Sequence, residues 1–182
     1  MKLEKIPKEC FKTTKWSGGT TTEFFIYPKG ADYAKRSFEV RISSATVDDE
    51  SSVFTSLSGV FRSLMILEGS MELDINGTKT KLSPYEHIEF SGDDRTISYG
   101  KAKDFNLMTR SCESYIDIIE NSAVIYSDGI CAFYSIEEPF TVTAENESAE
   151  AQKGELVVVY GKGNIKIDCI SPVTAAHAAL IK

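Results

Sequence analysis

Short alternating patterns of apolar and polar residues run along most of the chain, and they predict β-strands. Phe38, Val40 and Ile42 alternate with polar residues, a period of two that is typical of a half-buried strand. Gly, Asn and Pro punctuate these short segments. Many short strands with such punctuation indicate an all-β fold, either a β-sandwich or a β-barrel.

Three segments lack this alternation. Residues 31–36 are expected to form one turn at most, and residues 173–180 to form a short terminal helix or a strand. Residues 144–153 are polar and acidic, which predicts a surface loop.

The strongest local prediction is a hairpin over residues 71–82, centred on Asn76 and Gly77. Asn-Gly suits the positive φ values of a two-residue type I′ turn, which matches the twist of the flanking strands. The register that follows pairs Ile75 with Thr78, Leu73 with Thr80, Met71 with Leu82, Asp74 with Lys79 and Glu72 with Lys81. Opposite charges then lie across from each other on one face.

A weak internal repeat aligns residues 66–74 (ILEGSMELD) with residues 160–168 (YGKGNIKID) without gaps. Gly69 matches Gly163, at a place where the chain needs unusual torsions before an alternating strand. The repeat has two interpretations: duplication of a small barrel, or a sequence pattern that any two β-hairpins share.

The overall charge limits the classes of molecule that the protein is expected to bind. Lys and Arg total 20 against 27 Asp and Glu, a net charge of −7, which disfavours nucleic acid and anionic membranes. Residues 1–9 are too charged for the apolar stretch of a signal peptide, and no apolar run is long enough to span a bilayer. The four cysteines form no C-x-x-C pair. We therefore expect a cytoplasmic protein whose thiols are reduced and mostly fill the core.

Four blocks resemble the HutD/Ves family: residues 16–23 (WSGGTTTE), 38–45 (FEVRISSA), 59–69 (GVFRSLMILEG) and 104–110 (DFNLMTR). The resemblance implies a bicupin, two fused jelly-roll β-barrels of the RmlC-like cupin type. We assign residues 1–110 to the barrel that carries the family motifs and residues 111–182 to a smaller one, with strands exchanged between the halves as an alternative. The family's proposed role, sensing or limiting an intermediate of histidine degradation, becomes an expectation for this chain.

Many cupins hold a metal through histidines, but this chain has two histidines, ninety positions apart, and lacks the His-x-His motif followed by Glu. A transition-metal site needs several such ligands close together. We therefore expect a metal-free cupin without a cofactor.

Two arginines are the main candidate binding residues. Alternation places Arg41 and Ser43 on the face opposite Val40 and Ile42, and Arg62 on the face that carries Leu64 and Ile66. An arginine on an apolar face must be paired, and its planar fork suits a carboxylate. Two interpretations stay open: both arginines bind an acidic ligand in a barrel pocket, or each pairs internally with Glu23, Asp104 or another carboxylate, the commoner case.

Further polar residues extend this constellation. Asp104 and Asn106 share one face of a predicted strand and offer acceptors and amide donors to a small polar ligand. Trp16 precedes a Gly-Gly turn, and Thr21 and Glu23 share a face of the strand after it. The alternatives are internal pairing for Asp104 and Asn106 and a loop that closes one barrel end for Trp16. The predicted ligand-binding set is Trp16, Thr21, Glu23, Arg41, Ser43, Arg62, Asp104 and Asn106.

Three functions remain open from the sequence. The first is a metal-independent sensor or regulator that binds a small, carboxylate-bearing metabolite. The second is a cupin-fold enzyme (an isomerase, lyase or hydrolase) in which Glu23 or Asp104 acts as general base. The third is an interaction module without a ligand. Unpaired sheet edges make a homodimer plausible.

Overall fold

The computed structural model describes residues 1–179, and its regular structure is β apart from a short 3-10 turn, Lys8–Cys10. In chain order the strands are β1 (Lys2–Ile6), β2 (Lys12–Trp16), β3 (Gly19–Tyr27), β4 (Val40–Val47), β5 (Ser51–Val53), β6 (Phe61–Gly69), β7 (Met71–Ile75), β8 (Thr78–Leu82) and β9 (His87–Ser91). They continue with β10 (Thr96–Tyr99), β11 (Ala102–Thr109), β12 (Glu113–Ile119), β13 (Ala123–Ser135), β14 (Phe140–Ala144), β15 (Glu147–Ala151), β16 (Leu156–Cys169) and β17 (Val173–Ala179). The predicted all-β class is confirmed.

The chain divides into two compact units. One comprises residues 12–110, and the other comprises residues 1–11 together with the chain from residue 111 onward. The first eleven residues, which the sequence analysis grouped with the N-terminal unit, thus belong to the C-terminal one. The reason is that β1 pairs antiparallel with β16 along its whole length, from Lys2 opposite Tyr160 to Ile6 opposite Leu156.

The unit of residues 12–110 consists of two antiparallel sheets. A six-stranded sheet has the order β2-β3-β4-β11-β6-β9, and a four-stranded sheet has the order β5-β10-β7-β8. Apolar residues from both sheets form one buried cluster, which includes Leu64 and Ile66 of β6 and Met71 and Leu73 of β7. This shared core holds the two sheets together, because burying apolar area is the main favourable term in folding.

The hairpin over residues 71–82 has the predicted register. β7 and β8 pair from Met71 opposite Leu82 to Ile75 opposite Thr78, and Asn76 and Gly77 have φ values of 52° and 90°. The ion pair that forms is diagonal, however, since Lys79 Nζ lies 2.8 Å from Glu72 Oε1. Asp74 instead accepts a hydrogen bond from the backbone N–H of Gly77 at 2.7 Å, which stabilises the turn.

The other unit contains a seven-stranded antiparallel sheet. Its order is β12-β17-β13-β16-β14-β15, with β1 paired to β16. Apolar residues such as Phe133, Val157, Val159 and Ala175 are fully buried on one face of this sheet. Within residues 1–179, β12 and β15 remain edge strands, so the sheet does not close into a barrel.

Several local predictions are corrected. The loop predicted at residues 144–153 is wrong, because β15 lies there and forms a hairpin with β14. Ala149 and Ala151 point inward at alternate positions, a weak pattern that the acidic neighbours obscured. The terminal segment is strand β17 rather than helix, and Leu180 lies outside the described residues. Residues 33–36 form a turn.

All four cysteines are free thiols. Only Cys131 is buried, whereas Cys10 is exposed and Cys112 and Cys169 are intermediate, so the prediction that most of them fill the core is wrong. Among the described residues, no helix has the length and apolar character needed to cross a membrane.

Candidate functional site

A cavity of about 290 Å³ opens into the unit of residues 12–110. Of the eight residues predicted to bind a ligand, all but Glu23 line it: Trp16, Thr21, Arg41, Ser43, Arg62, Asp104 and Asn106. Other lining residues, including Tyr33, Phe54 and Met108, supply aromatic and apolar surface. The structure therefore brings the predicted residues together in one concave site, although their binding role stays a prediction.

Strand order explains how both arginines reach the same cavity. β11 lies between β4 and β6, and its residue Met108 is the register partner of Arg41 on one side and Arg62 on the other. On β4, Val40 and Ile42 are fully buried and Arg41 lies between them, so alternation directs its side chain to the opposite face.

Arg41 is held by partners inside the protein. Its Nε lies 2.8 Å from Glu23 Oε2, and its Nη1 donates to Ser43 Oγ at 3.0 Å. The ring of Tyr33 lies 4.1 Å from the guanidinium carbon. Internal pairing, one of the two open interpretations, therefore applies to Arg41. Glu23 acts by positioning this arginine from outside the cavity lining.

Arg62, unlike Arg41, has no carboxylate partner among the described residues. It is 6% exposed, and its one hydrogen bond is a long one, from Nη2 to Asn106 Oδ1 at 3.4 Å. Its Nε is buried without a partner, and no carboxylate of the described residues lies within ion-pair distance. The rings of Phe54 and Phe90 lie 4.8 and 5.0 Å from the guanidinium carbon. Burial lowers the pKa of Arg62 to about 10, so the side chain stays charged at neutral pH.

Asp104 is the buried acid of the site, at 1% exposure. Its Oδ1 accepts hydrogen bonds from the backbone N–H of Ala45 at 2.8 Å and from Asn106 Nδ2 at 2.6 Å. Burial raises the pKa of Asp104 to about 7, although these hydrogen bonds and the charge of Arg62 act in the opposite direction. The carboxyl group therefore exchanges its proton near neutral pH.

Trp16 and Thr21 form the rim of the cavity. The indole Nε1 donates to Thr21 Oγ1 at 3.1 Å, and the Trp16 side chain is 37% exposed. The ring lies so close to Gly18 that a Cβ there would overlap it. Trp16 and Thr21 are thus linked to each other by a hydrogen bond and both line the cavity.

Sequence reasoning missed two aromatic residues of the site. Tyr33 lies in the segment between β3 and β4, with Arg36 and Arg41 at 4.4 and 4.1 Å from its ring. Phe54 is partly buried and lies against Arg62. Nothing in the sequence relates Tyr33 to Arg41 or Phe54 to Arg62, because these pairs lie on different segments of the chain.

The donor set of the cavity does not fit a cupin metal. Its charged lining groups are two guanidinium ions and the single carboxyl group of Asp104, and no histidine lines it. Guanidinium groups donate hydrogen bonds and repel a cation. Residues 1–179 contain no cluster of three His, Cys, Asp or Glu side chains arranged to hold an ion. The cavity is therefore suited to an anion rather than to a metal ion.

The fold is similar to that of several solved proteins. PA5104 of Pseudomonas aeruginosa PAO1, described as a conserved protein of unknown function, superposes with a TM-score of 0.87 at 19% identity and covers 99% of this chain and 100% of that chain. HutD of Pseudomonas fluorescens SBW25 superposes with a TM-score of 0.83 at 18% identity, with both chains covered over 100%. Oxalate decarboxylase of Bacillus subtilis gives a TM-score of 0.68 at 7% identity over 97% of this chain and 76% of that chain.

These similarities define the chain as a protein with a cupin-like, all-β fold. The HutD family model matches residues 8–176, and the chain belongs to the HutD family. A search of curated proteins finds no match. The resemblance inferred from the four sequence blocks is thus confirmed.

Proposed function

We propose that the protein binds a small, carboxylate-bearing metabolite in the cavity of residues 12–110, without a metal, and acts as a sensor or regulator. Arg62 holds the carboxylate in this proposal. Asp104 and Asn106 recognise a neighbouring amine, amide or formimino group.

The observation that carries the proposal is the unsatisfied state of Arg62. A buried charge without a counter-ion is costly, and a lone buried N–H adds to that cost. A ligand carboxylate would supply both a counter-charge and the acceptor that Nε lacks in a bidentate arrangement. Arg41 supports this assignment, since Nη2 has no hydrogen bond within the described chain and Arg41 lines the same cavity.

The volume of the cavity limits the size of the ligand. Sites for drug-sized molecules occupy roughly 300–1,000 Å³, so about 290 Å³ corresponds to a compact metabolite. Histidine degradation enters the proposal only through membership of the HutD family, which is why formylglutamate and formiminoglutamate head the ligand panel.

Three wider features belong to the same proposal. We propose a cytoplasmic location, a homodimer, and a bicupin architecture in which the second unit is a diverged copy of the first. The aligned glycines support the last point, since Gly69 ends β6 with φ 81° and Gly163 lies within β16 with φ 147°. Both therefore occur where a strand departs from regular torsions.

Thermal unfolding of the metal-stripped protein tests the proposal. The panel comprises formylglutamate, formiminoglutamate, formate, urocanate, glutamate, histidine and acidic sugars. A ligand at about 100 times its Kd stabilises the native state by about 2.7 kcal/mol, which raises Tm by a few degrees. No shift with any carboxylate would contradict the proposal.

Arg62→Met separates a binding role from a structural one. Without ligand, its Tm is expected to equal or exceed that of the wild type, because an apolar side chain replaces an unpaired buried charge. Its ligand-induced shift is expected to disappear. Arg95→Met removes an exposed arginine of the same unit and should leave the shift intact. If Arg62→Met lowers Tm and retains the shift, Arg62 is structural and an interaction module becomes the better account.

A second candidate function is catalysis with Asp104 as general base. The favouring observation is its position in the cavity with a pKa of about 7, close to the ideal value for proton transfer at neutral pH. Turnover of a panel compound that is lost in Asp104→Asn, with affinity retained, would support this candidate. Binding without turnover would favour the sensor or regulator function over catalysis.

A further inference from the structure

The cavity of residues 12–110 contains an acid and a base that form no direct ion pair. The Arg41 guanidinium is neutralised by Glu23 at 2.8 Å. The other ionisable groups of the lining are Arg62 on β6, Asp104 on β11 and the phenol of Tyr33 between β3 and β4. The lining residues from β2, from β5 and from the two positions after β5 have no ionisable side chain.

Asn106 connects Asp104 with Arg62. Its Nδ2 donates to Asp104 Oδ1 at 2.6 Å, and its Oδ1 accepts from Arg62 Nη2 at 3.4 Å. The backbone N–H of Ala45 also donates to Asp104 Oδ1, and Oδ2 has no hydrogen-bond partner among the described residues. Burial raises the pKa of Asp104, and the charge of Arg62 acts against this rise. The ionisation of Asp104 therefore depends on what else lies beside Arg62.

A carboxylate bound by Arg62 changes this balance. Its negative charge offsets the effect of the guanidinium on Asp104 and adds repulsion between two acids, while Asp104 stays buried. When two acids share one site, the pKa of one of them rises strongly, so that acid takes up a proton. The ligand carboxylate stays ionised because it contacts the guanidinium directly. Asp104, which Asn106 separates from Arg62, is therefore the acid that is protonated.

We propose that the cavity binds its carboxylate together with a proton, which comes from solvent and is held on Oδ2 of Asp104. The inference rests on the proposed function, since the carboxylate on Arg62 causes the protonation. A protonated carboxyl group is neutral and donates a hydrogen bond, so it suits a carbonyl or amide oxygen of the ligand. An ammonium group would instead keep Asp104 ionised. The site therefore selects acids with a neutral polar neighbour, and their affinity depends on pH.

The direction of this dependence follows from the pKa of Asp104, which is about 7 in the protein without ligand. Below pH 7 the carboxyl group is already protonated, so binding takes up no proton and Kd stays constant. Above pH 7 binding takes up a proton, and Kd rises with pH by up to about tenfold per unit. Arg62, with a pKa of about 10, stays charged between pH 5.5 and pH 8.5.

Trp16 reports binding, because it lines the cavity and is the one tryptophan of the chain. Formylglutamate is the probe, since its carboxylates are ionised at pH 5.5 and above and it has no cationic group. Fluorescence titrations at pH 5.5, 6.5, 7.5 and 8.5 give Kd. We expect similar values at the two lower pH values and a several-fold rise between pH 7.5 and pH 8.5.

Asp104→Asn tests which group takes up the proton. Asparagine keeps an acceptor for Ala45 and does not ionise, so the Kd of this variant should not change with pH. Asp49→Asn and His87→Gln change exposed residues of the same unit that do not line the cavity, and both should retain the pH dependence of the wild type. A pH dependence that persists in Asp104→Asn would assign the proton to another group and overturn the proposal.

Calorimetric titration of the wild type with formylglutamate at pH 7.5 measures the proton uptake without any variant. Tris and HEPES differ in their enthalpy of ionisation, so proton uptake makes the observed binding enthalpy differ between the two buffers. Uptake of part of a proton per ligand is expected. Binding with no uptake and a constant Kd overturns this proposal alone, as does a failure of formylglutamate to bind. A failure of every carboxylate in the panel to bind overturns the proposed function as well.

Discussion

Asn106 separates the two buried ionisable groups, Asp104 and Arg62, in the cavity of residues 12–110. Its Nδ2 donates to Asp104 at 2.6 Å, and its Oδ1 accepts from Arg62 at 3.4 Å, so the amide lies between acid and base. Asp104 and Arg62 consequently form no direct ion pair. A direct pair would satisfy the guanidinium internally, whereas this arrangement leaves it available to a ligand carboxylate.

The buried acid makes stability depend on pH. The pKa of Asp104 rises from 3.8 to about 7 on folding. This difference lowers the free energy of unfolding. The loss is absent below pH 4, where Asp104 is protonated in both the folded and the unfolded state. It grows by about 1.4 kcal/mol per pH unit above that, because the carboxyl group ionises first in the unfolded state. The loss is complete above pH 7. Asp104→Asn, which keeps an acceptor for Ala45, should therefore stabilise the protein relative to the wild type increasingly from pH 5 to pH 7.

Urea unfolding of both proteins at pH 5, 6, 7 and 8 measures this difference. Asp49→Asn, at an exposed position of the same unit, should show no such trend. A stability difference between Asp104→Asn and the wild type that does not change with pH would contradict the raised pKa.

At the residue scale, the sequence predicted which side chains share a face but not what they contact. From alternation within each strand, Arg41 and Arg62 received the same prediction: each either binds a ligand or pairs internally. Only the pairing of β3, β4, β6 and β11 reveals that Arg41 has a carboxylate partner, Glu23, whereas Arg62 has no carboxylate partner among the described residues. Pairing of this kind depends on distances across strands, which periodicity within a strand does not contain.

Glycines determine two connections between strands. Gly77 completes the turn between β7 and β8 with φ 90°, and a Cβ added there would meet no atom within 4 Å. Gly69 connects β6 to β7 with φ 81°, and a Cβ there would lie 2.5 Å from the backbone oxygen of Lys101. The first position needs only the left-handed conformation, whereas the second also needs the absence of a side chain.

Gly69→Ala and Gly77→Ala should therefore differ in stability. Gly77→Ala is expected to cost about 1–2 kcal/mol, the penalty of the left-handed region for an L-residue. Gly69→Ala should cost clearly more, because the backbone must also shift away from Lys101. Urea unfolding gives both values, and equal costs would contradict the close approach at Gly69.

At the element scale, the residues of the turn determined which hairpins the sequence predicts. The hairpin of β7 and β8 follows from Asn-Gly and complementary pairs. The hairpin of β14 and β15 turns at Glu145 and Asn146, without a glycine, and β15 has small alanines on its inner side. Its pattern resembles that of a polar loop, so the strand was missed.

At the scale of the whole molecule, each of the two units carries a cavity. Arg41 and Arg62 line the cavity of residues 12–110, whereas the charged residues in the described lining of the other are Glu113 and Asp128. The all-β class was predictable from the alternation of apolar and polar residues, and the HutD family from four sequence blocks. The assignment of residues 1–11 to the C-terminal unit was not predictable, because β1 pairs with β16 from Lys2 opposite Tyr160 to Ile6 opposite Leu156, far apart in the sequence.

Calorimetric titration at pH 6, where Asp104 is mostly protonated, tests the central claim most directly. The titrants are the carboxylate with the largest thermal shift and its uncharged carboxamide analogue. The wild type and Arg95→Met should bind the carboxylate equally. Arg62→Met should bind the carboxylate at least about tenfold more weakly than the wild type does. The wild type should bind the carboxamide more weakly than the carboxylate by a similar factor. Unchanged affinity in Arg62→Met, or equal affinity for the carboxamide, would contradict the assignment of Arg62 as the group that binds the carboxylate.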